Sequence, residues 1–284
     1  MSTGVAVAEV ASTIESPDET PVNAGAAGEQ FVQSLARGLT VIRAFDGEHT
    51  SMTLSEVAKR ADLNRAAARR FLHTLVELGY VRTDGRTFEL TPLVLQLGYA
   101  FMSGQTLPRL AQPLLEDLSA KLHESVSMAV LDGADIVYVA RIHTKRIMST
   151  AITVGTRFPA YVTSMGRVLL AALPPKELDA YFETLEPQAL TSRTVTDTAV
   201  LRERIELAGR QGWAMIDQEL EQGLRSVAVP VADVDGKVVA ALNVSMQASL
   251  LSDGETDVAE TIAAMVAELQ DMVRHLVELQ RSLG

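Results

Sequence analysis

The stretch NRAAARR at residues 64–70 sets Arg65, Arg69 and Arg70 within six positions, with no acid between them. Guanidinium groups at that density suit bidentate hydrogen bonding to phosphate or to the major-groove edge of guanine. Arg65 and Arg69 are four apart, so a helix through the stretch carries both on one face. A second set of residues is polar but uncharged. Thr163-Ser164-Met165-Gly166 precedes an apolar run. A helix starting there offers free N–H groups and its dipole to a carboxylate, and Gly166 lets a ligand come close to the backbone. The alternative is that Ser164 only caps the helix. Further on, MIDQELEQGLRSVAVPV places Asp217 at a strand end and Ser226 at the opening of the next strand. LNVSM puts Asn243 and Ser245 on one side of a strand. Polar side chains on buried strands need partners. A small polar ligand is the favoured partner, and a water-filled or internally satisfied core is the alternative.

Other chemistries find no support. There is no cysteine, which removes disulfides, thiol nucleophiles and Cys-ligated zinc. The five histidines, at 49, 73, 123, 143 and 275, do not fall at metal-ligand spacing. No G-x-S-x-G, H-E-x-x-H or Walker loop is present. No metal and no cofactor is expected.

The arginines need a helix that presents them, and the pattern supplies one. Leu35, Leu39, Ile42 and Phe45 recur at helical spacing. TLSE, from Thr53 to Glu56, is a capping box that opens a short second helix. Asn64 caps a third, which carries the apolar stripe Ala68, Phe71, Leu72, Leu75 and Leu78 and stops at Gly79. YVRTDGRTFEL then reads as a hairpin turning at Asp84-Gly85, with Arg82 and Arg86 on it. Three helices and a hairpin make a winged helix-turn-helix, whose third helix enters the major groove of double-stranded DNA. Thr53, Ser55, Asn64, Arg82 and Arg86 join Arg65, Arg69 and Arg70 as DNA-contacting candidates.

Charge distribution agrees. The 284 residues carry a net charge of -11, yet residues 31–92 hold nine Lys/Arg against seven Asp/Glu. Residues 1–30 are small, acidic and aperiodic, and read as a disordered tail. The expected organisation is the tail at 1–30, the winged helix-turn-helix at 31–91, a linker helix at 92–106 and a larger domain at 107–284. In the last, antiparallel hairpins alternate with helices, so the fold class is α+β. No apolar run approaches the roughly 18 residues of a membrane span. The N-terminus has no signal-peptide pattern, so a cytoplasmic address fits.

SLARGLTVIRAF, TLSEVAKRADLNRAAARRFLHTLVELGYV, TSMGRVLLA and the D-x-E…GLRSVAVPV segment, in that order over residues 31–284, resemble the IclR family of bacterial transcriptional regulators. VYVARIHTKRIMSTAITVGTRFPAYVTSMGRVLL resembles its aromatic-acid branch, the regulators of protocatechuate, 4-hydroxybenzoate and β-ketoadipate breakdown. The resemblance implies a winged helix joined by a helix to a GAF-like effector domain. It also implies homodimers or dimers of dimers on a pseudo-palindromic operator, controlled by a small carboxylate. It places the effector on Ser164, Met165, Gly166, Asp217, Ser226, Asn243 and Ser245. Two positions depart from the family: Ser226 stands where many members have cysteine, and Asn243 where many have serine. Arg141, Arg146 and Arg157 either meet a second carboxylate of a dicarboxylic ligand or are structural or interfacial. The competing readings are an enzyme acting on small acids, which lacks a motif, and an architectural DNA-binding protein without an effector.

Overall fold

The computed structural model describes residues 31–104, 106–144, 152–251 and 255–283. The expected tail at 1–30 and Arg146 lie outside these. The described residues divide into two compact units, up to Gly104 and from Thr106.

The first unit opens with α1 (Gln33–Arg43), β1 (Ser51–Thr53), α2 (Leu54–Arg60) and α3 (Arg65–Glu77). The predicted capping box forms. The Glu56 amide donates to Thr53 Oγ1 at 3.4 Å, and the Thr53 amide donates to Glu56 Oε2 at 2.7 Å. Asn64 caps α3, its Oδ1 accepting from the Ala67 amide at 2.8 Å. The wing is β2 (Val81–Thr83) and β3 (Thr87–Leu90). Asp84 Oδ1 gathers the amides of Arg86 and Thr87 at 2.9 and 2.7 Å, and Gly85 turns at φ 92°. The sheet has a third strand beyond the hairpin that the sequence predicts: β1 pairs with β3, giving the order β1-β3-β2. Val41, Met52, Val57, Leu72, Leu75, Val81 and Phe88 form the core. The stripe expected on α1 is only partly inside. Leu35 and Leu39 are 63% and 47% exposed, because the helix turns that flank away from the core. A short 3-10 turn (Pro92–Val94) leads to α4 (Leu95–Gly104).

The second unit is built on one antiparallel sheet in the order β6-β5-β4-β9-β8-β7. Its elements are α5 (Thr106–Leu122), β4 (Ser125–Asp132), β5 (Asp135–Ile142), β6 (Arg157–Pro159), α6 (Ser164–Ala171), α7 (Pro175–Thr184), α8 (Thr198–Gln211), β7 (Ala214–Asp217), β8 (Leu224–Ala232), β9 (Val238–Gln247) and α9 (Glu255–Leu283). Two apolar cores result, one per face. α5 and α9 pack Leu115, Leu269 and Leu276 on Val126, Met128, Val229, Leu242 and Val244. On the other face α6, α7 and α8 pack Met165, Leu170, Tyr181 and Ile205 on Ile136, Ile216, Ala228 and Ala241. The strands alternate between the two, apart from an irregularity in β5. Pro230 is tolerated in β8 because β7 pairs no further along than Ala228, so the missing N–H faces an open edge. Gly212 ends α8 in the left-handed region at φ 76°, as the sequence predicts.

Candidate effector site and candidate nucleic-acid interface

The face covered by α6 is not wholly apolar. Antiparallel registers align two rows of polar residues across it. Arg141 on β5 pairs with Ser127 on β4, which pairs with Asn243 on β9. In the next row Ser125 pairs with Ser245, which pairs with Ser226 on β8. The serines and the asparagine are all buried. Ser164, at the first position of α6, closes the second row, its Oγ 2.8 Å from Ser226 Oγ.

Arg141 reaches this face through an irregularity in β5. Ala129 pairs with Tyr138 and Met128 with Ala140, so Val139 is an extra residue. Strict alternation would send Arg141 to the face opposite Tyr138. The bulge brings both to the same side, with the guanidinium 5.8 Å from the Tyr138 ring centroid. Arg141 Nη1 donates to Ser127 Oγ at 2.8 Å. Burial lowers the Arg141 pKa, opposed by nearby Tyr138, and raises that of Tyr138 to about 12. Asn243 Nδ2 donates to Ser245 Oγ at 3.0 Å. Two buried atoms here have no hydrogen-bond partner, Arg141 Nε and Asn243 Oδ1.

The structure therefore brings together Ser164, Ser226, Asn243 and Ser245, and adds Ser125, Ser127 and Arg141. The first two additions were missed by the sequence reading. Their signal was Ser125-Val126-Ser127, the same alternation as Asn243-Val244-Ser245. Several expectations need correction. Thr163, not Ser164, caps α6, its Oγ1 accepting from the Gly166 amide at 2.9 Å. That amide is thus engaged. The glycine itself is demanded by packing, since a Cβ there would lie 2.0 Å from the Ala160 carbonyl oxygen. By helix geometry the Ser164 and Met165 amides have no acceptor within α6. The Met165 side chain is fully buried in the core.

Asp217 is not in the cluster. It pairs with Arg225 across β7 and β8, one residue out of phase with Ser226, and so points to the opposite face. Arg193 and Arg225 both bind its carboxylate, Arg225 Nε at 3.0 Å. Burial would raise its pKa, but the Arg225 hydrogen bond and the two arginine charges hold it below the usual aspartate value. Glu219, the acid two residues on, is locked in a buried fork with Arg167. Arg157 is structural, bonded to Asp132 at 2.6 Å and Asp135 at 3.2 Å.

In the first unit Arg65, Arg69 and Arg70 are exposed, off the buried stripe of Ala68, Leu72 and Leu75. None of them has a salt bridge among the described residues. Arg86 is likewise exposed beyond the wing turn. Arg82 is engaged, its Nε and Nη2 donating to Glu89 Oε2 at 2.9 and 2.6 Å. Thr53 and Asn64 spend their side-chain oxygens on caps, while Ser55 is exposed on the first turn of α2.

Comparison with known proteins agrees with both units. Residues 34–85 match the IclR helix-turn-helix domain, and residues 99–274 match the bacterial transcriptional regulator IclR C-terminal domain. The Pca regulon regulatory protein of Pseudomonas putida is 48% identical over 80% of this chain and 78% of that protein. The p-hydroxybenzoate hydroxylase transcriptional activator of Acinetobacter baylyi is 34% identical over 77% of this chain and 83% of its own. A crystal structure from Rhodococcus sp. RHA1, described as a transcriptional regulator, is 51% identical, with a TM-score of 0.77 over 89% of this chain and 100% of that one. An IclR homologue of Microbacterium hydrocarbonoxydans complexed with 4-hydroxybenzoate shares the fold at 24% identity, with a TM-score of 0.74 over 88% of this chain and 99% of that one. The chain belongs to the IclR family of bacterial transcriptional regulators.

Proposed function

We propose that this regulator reads a DNA operator with α3 and the β2–β3 wing, and that a small aromatic carboxylate bound in its second domain controls that binding. The regulated genes are those of aromatic-acid breakdown, and the chain is a regulator rather than an enzyme. One observation carries the effector reading: five buried hydroxyl and amide side chains and the half-buried Arg141 guanidinium form a polar patch on an otherwise apolar sheet face, holding two polar atoms without partners. An unpaired buried donor or acceptor costs about 1–3 kcal/mol, which a ligand recovers. The pathway rests on the relatives, whose names refer to the Pca regulon and to p-hydroxybenzoate hydroxylase. Protocatechuate, 4-hydroxybenzoate and β-ketoadipate are the candidate effectors.

Arg65, Arg69, Arg70 and Arg86, with Ser55, contact DNA directly in this reading. Thr53 and Asn64 hold the helix starts, and Arg82 stiffens the wing. The effector meets Ser226, Asn243, Ser245, Arg141 and the amides of Ser164 and Met165. It separates α6 from the sheet by replacing the Ser164–Ser226 hydrogen bond. Residues 31–91 form the DNA-binding domain, 92–106 the connection and 107–284 the effector domain. The connection transmits the change, for which about 1–3 kcal/mol of coupling suffices. A second copy covers the exposed apolar residues Leu35, Leu39 and Leu78 and supplies the second helix for a pseudo-palindrome. No described helix is long and apolar enough to cross a membrane. A DNA-bound role puts the protein in the cytoplasm.

The test is a thermal-shift titration with protocatechuate, 4-hydroxybenzoate, β-ketoadipate and glyoxylate, followed by a mobility-shift assay on upstream DNA. A saturable shift with one aromatic-pathway acid, altering operator affinity, supports the reading. A shift with glyoxylate alone assigns another pathway, and no shift with any acid removes the effector role.

A further inference from the structure

Resting on the effector reading above, we infer that Arg141 and Asn243 form a two-ended recognition pair that selects a hydroxy acid. Arg141 takes the carboxylate and Asn243 takes the hydroxyl.

The two atoms left without partners are of opposite kind. Arg141 Nε is a donor on a cation, and Asn243 Oδ1 is an acceptor. Arg141 has already used Nη1 on Ser127, so what it still offers is the Nε edge of the fork, suited to a carboxylate. Asn243 has turned Nδ2 to Ser245, so what it still offers is an oxygen that only a donor can satisfy. A ligand that completes both must carry an anionic acceptor at one end and an O–H at the other. 4-Hydroxybenzoate and protocatechuate have both. β-Ketoadipate, a dicarboxylate with a ketone, has acceptors only.

Register gives the span. Arg141, Ser127 and Asn243 lie in one row on adjacent strands β5, β4 and β9, so the outer two are separated by about 10 Å at the backbone. Both side chains project from the same face of the sheet, so a ligand lying across β4 meets Arg141 at one end and Asn243 at the other. Tyr138, Phe158 and Met165 supply apolar neighbours on that face. The Asn243 amide turned the other way would present donors at both ends and call for a dicarboxylate instead.

Calorimetric titration of the full chain separates these cases, with 4-hydroxybenzoate, benzoate and β-ketoadipate as probes. Wild-type protein is expected to bind 4-hydroxybenzoate at least about tenfold tighter than benzoate, the worth of one buried hydrogen bond. Asn243→Ala should weaken 4-hydroxybenzoate to the benzoate level while leaving benzoate within about twofold. Arg141→Gln should weaken both acids by about tenfold or more, and Arg141→Lys, which keeps the charge but loses the fork, should rescue only in part. A melting scan of each variant identifies any that fails to fold, and the wild-type comparison of the three acids stands without variants. Equal binding of benzoate and 4-hydroxybenzoate, tighter binding of β-ketoadipate, or an unchanged affinity in folded Arg141→Gln would overturn the pair while leaving the effector site in place. Absence of binding by all three acids would remove the effector site itself, and the pair with it.

Discussion

Arg167 on α6 and Glu219 in the loop before β8 meet as a planar fork, Nη1 to Oε1 at 2.9 Å and Nη2 to Oε2 at 2.6 Å, with both side chains almost wholly buried. Arg167 Nε donates to the Tyr161 carbonyl, and Arg204 reaches the same carboxylate at 3.1 Å. Removing one side of such a pair leaves an uncompensated buried charge, which costs about 3–5 kcal/mol. Glu219→Leu, which strands the buried Arg167 guanidinium, is therefore expected to lower unfolding free energy by that order in a denaturant titration, whereas after Arg167→Met the Glu219 carboxylate would still have Arg204. Arg167→Met with Glu219→Leu should recover much of the loss. Glu219→Leu as stable as wild type would mean that the charge finds water.

Gly166→Ala sets helix propensity against packing. In an exposed helix alanine would gain about 1 kcal/mol over glycine. Here the added Cβ meets the Ala160 backbone, which cannot swing aside as a flexible side chain would. Overpacking costs about 1–3 kcal/mol, so destabilisation should win. A raised melting temperature would contradict the observed approach of α6 to residue 160.

Arg69→Ala should lower operator affinity without changing the melting temperature, because the side chain is exposed and unpaired among the described residues. If Arg69 meets a phosphate, the slope of log affinity against log salt should fall by about one. Arg82→Ala should have a smaller effect, since Arg82 is held by Glu89. The mobility-shift assay across a salt series is the check, and equal losses for the two variants would contradict the distinction.

Asp217 should make stability depend on acid pH. Its folded-state pKa lies below the usual 3.8. A carboxyl with a depressed folded pKa contributes stability that is full above its unfolded value and lost as pH falls through the folded one. Wild-type stability should thus decline as pH drops below about 4, and Asp217→Asn should flatten that part of the profile. Parallel denaturation curves for the two proteins down to pH 2 would exclude the contribution.

Local rules with a chemical signature were legible in the sequence. Thr53 and Glu56, Asn64, Asp84-Gly85 and Gly212 each specify their own backbone geometry, and each forms as expected. β1 and β6 were not legible, since each has three residues and owes its existence to a distant partner. The alternation of Asn243 and Ser245 puts both on one buried face of a strand, and the structure does so because β9 is long and regular there. Arg141 and Asp217 show the limit. One extra residue at Val139 turns Arg141 inward, and one residue of phase between β7 and β8 turns Asp217 away. Parity on a strand is decided by pairing, which composition and spacing do not contain.

Thr53 is at once the last residue of β1, the cap of α2 and the cross-strand partner of Thr87. Thr87 in turn is tied to the wing turn through Asp84. The wing and α2 are therefore joined through this one strand, and a pivot between them would break the Thr53 cap or a β1–β3 ladder rung. If α3 and the wing read the operator as proposed, a joint of this kind would hold their contact positions in fixed register along the duplex. Insertions or deletions of base pairs within a half-site should be rejected outright, and any tolerance in operator length has to be accommodated elsewhere.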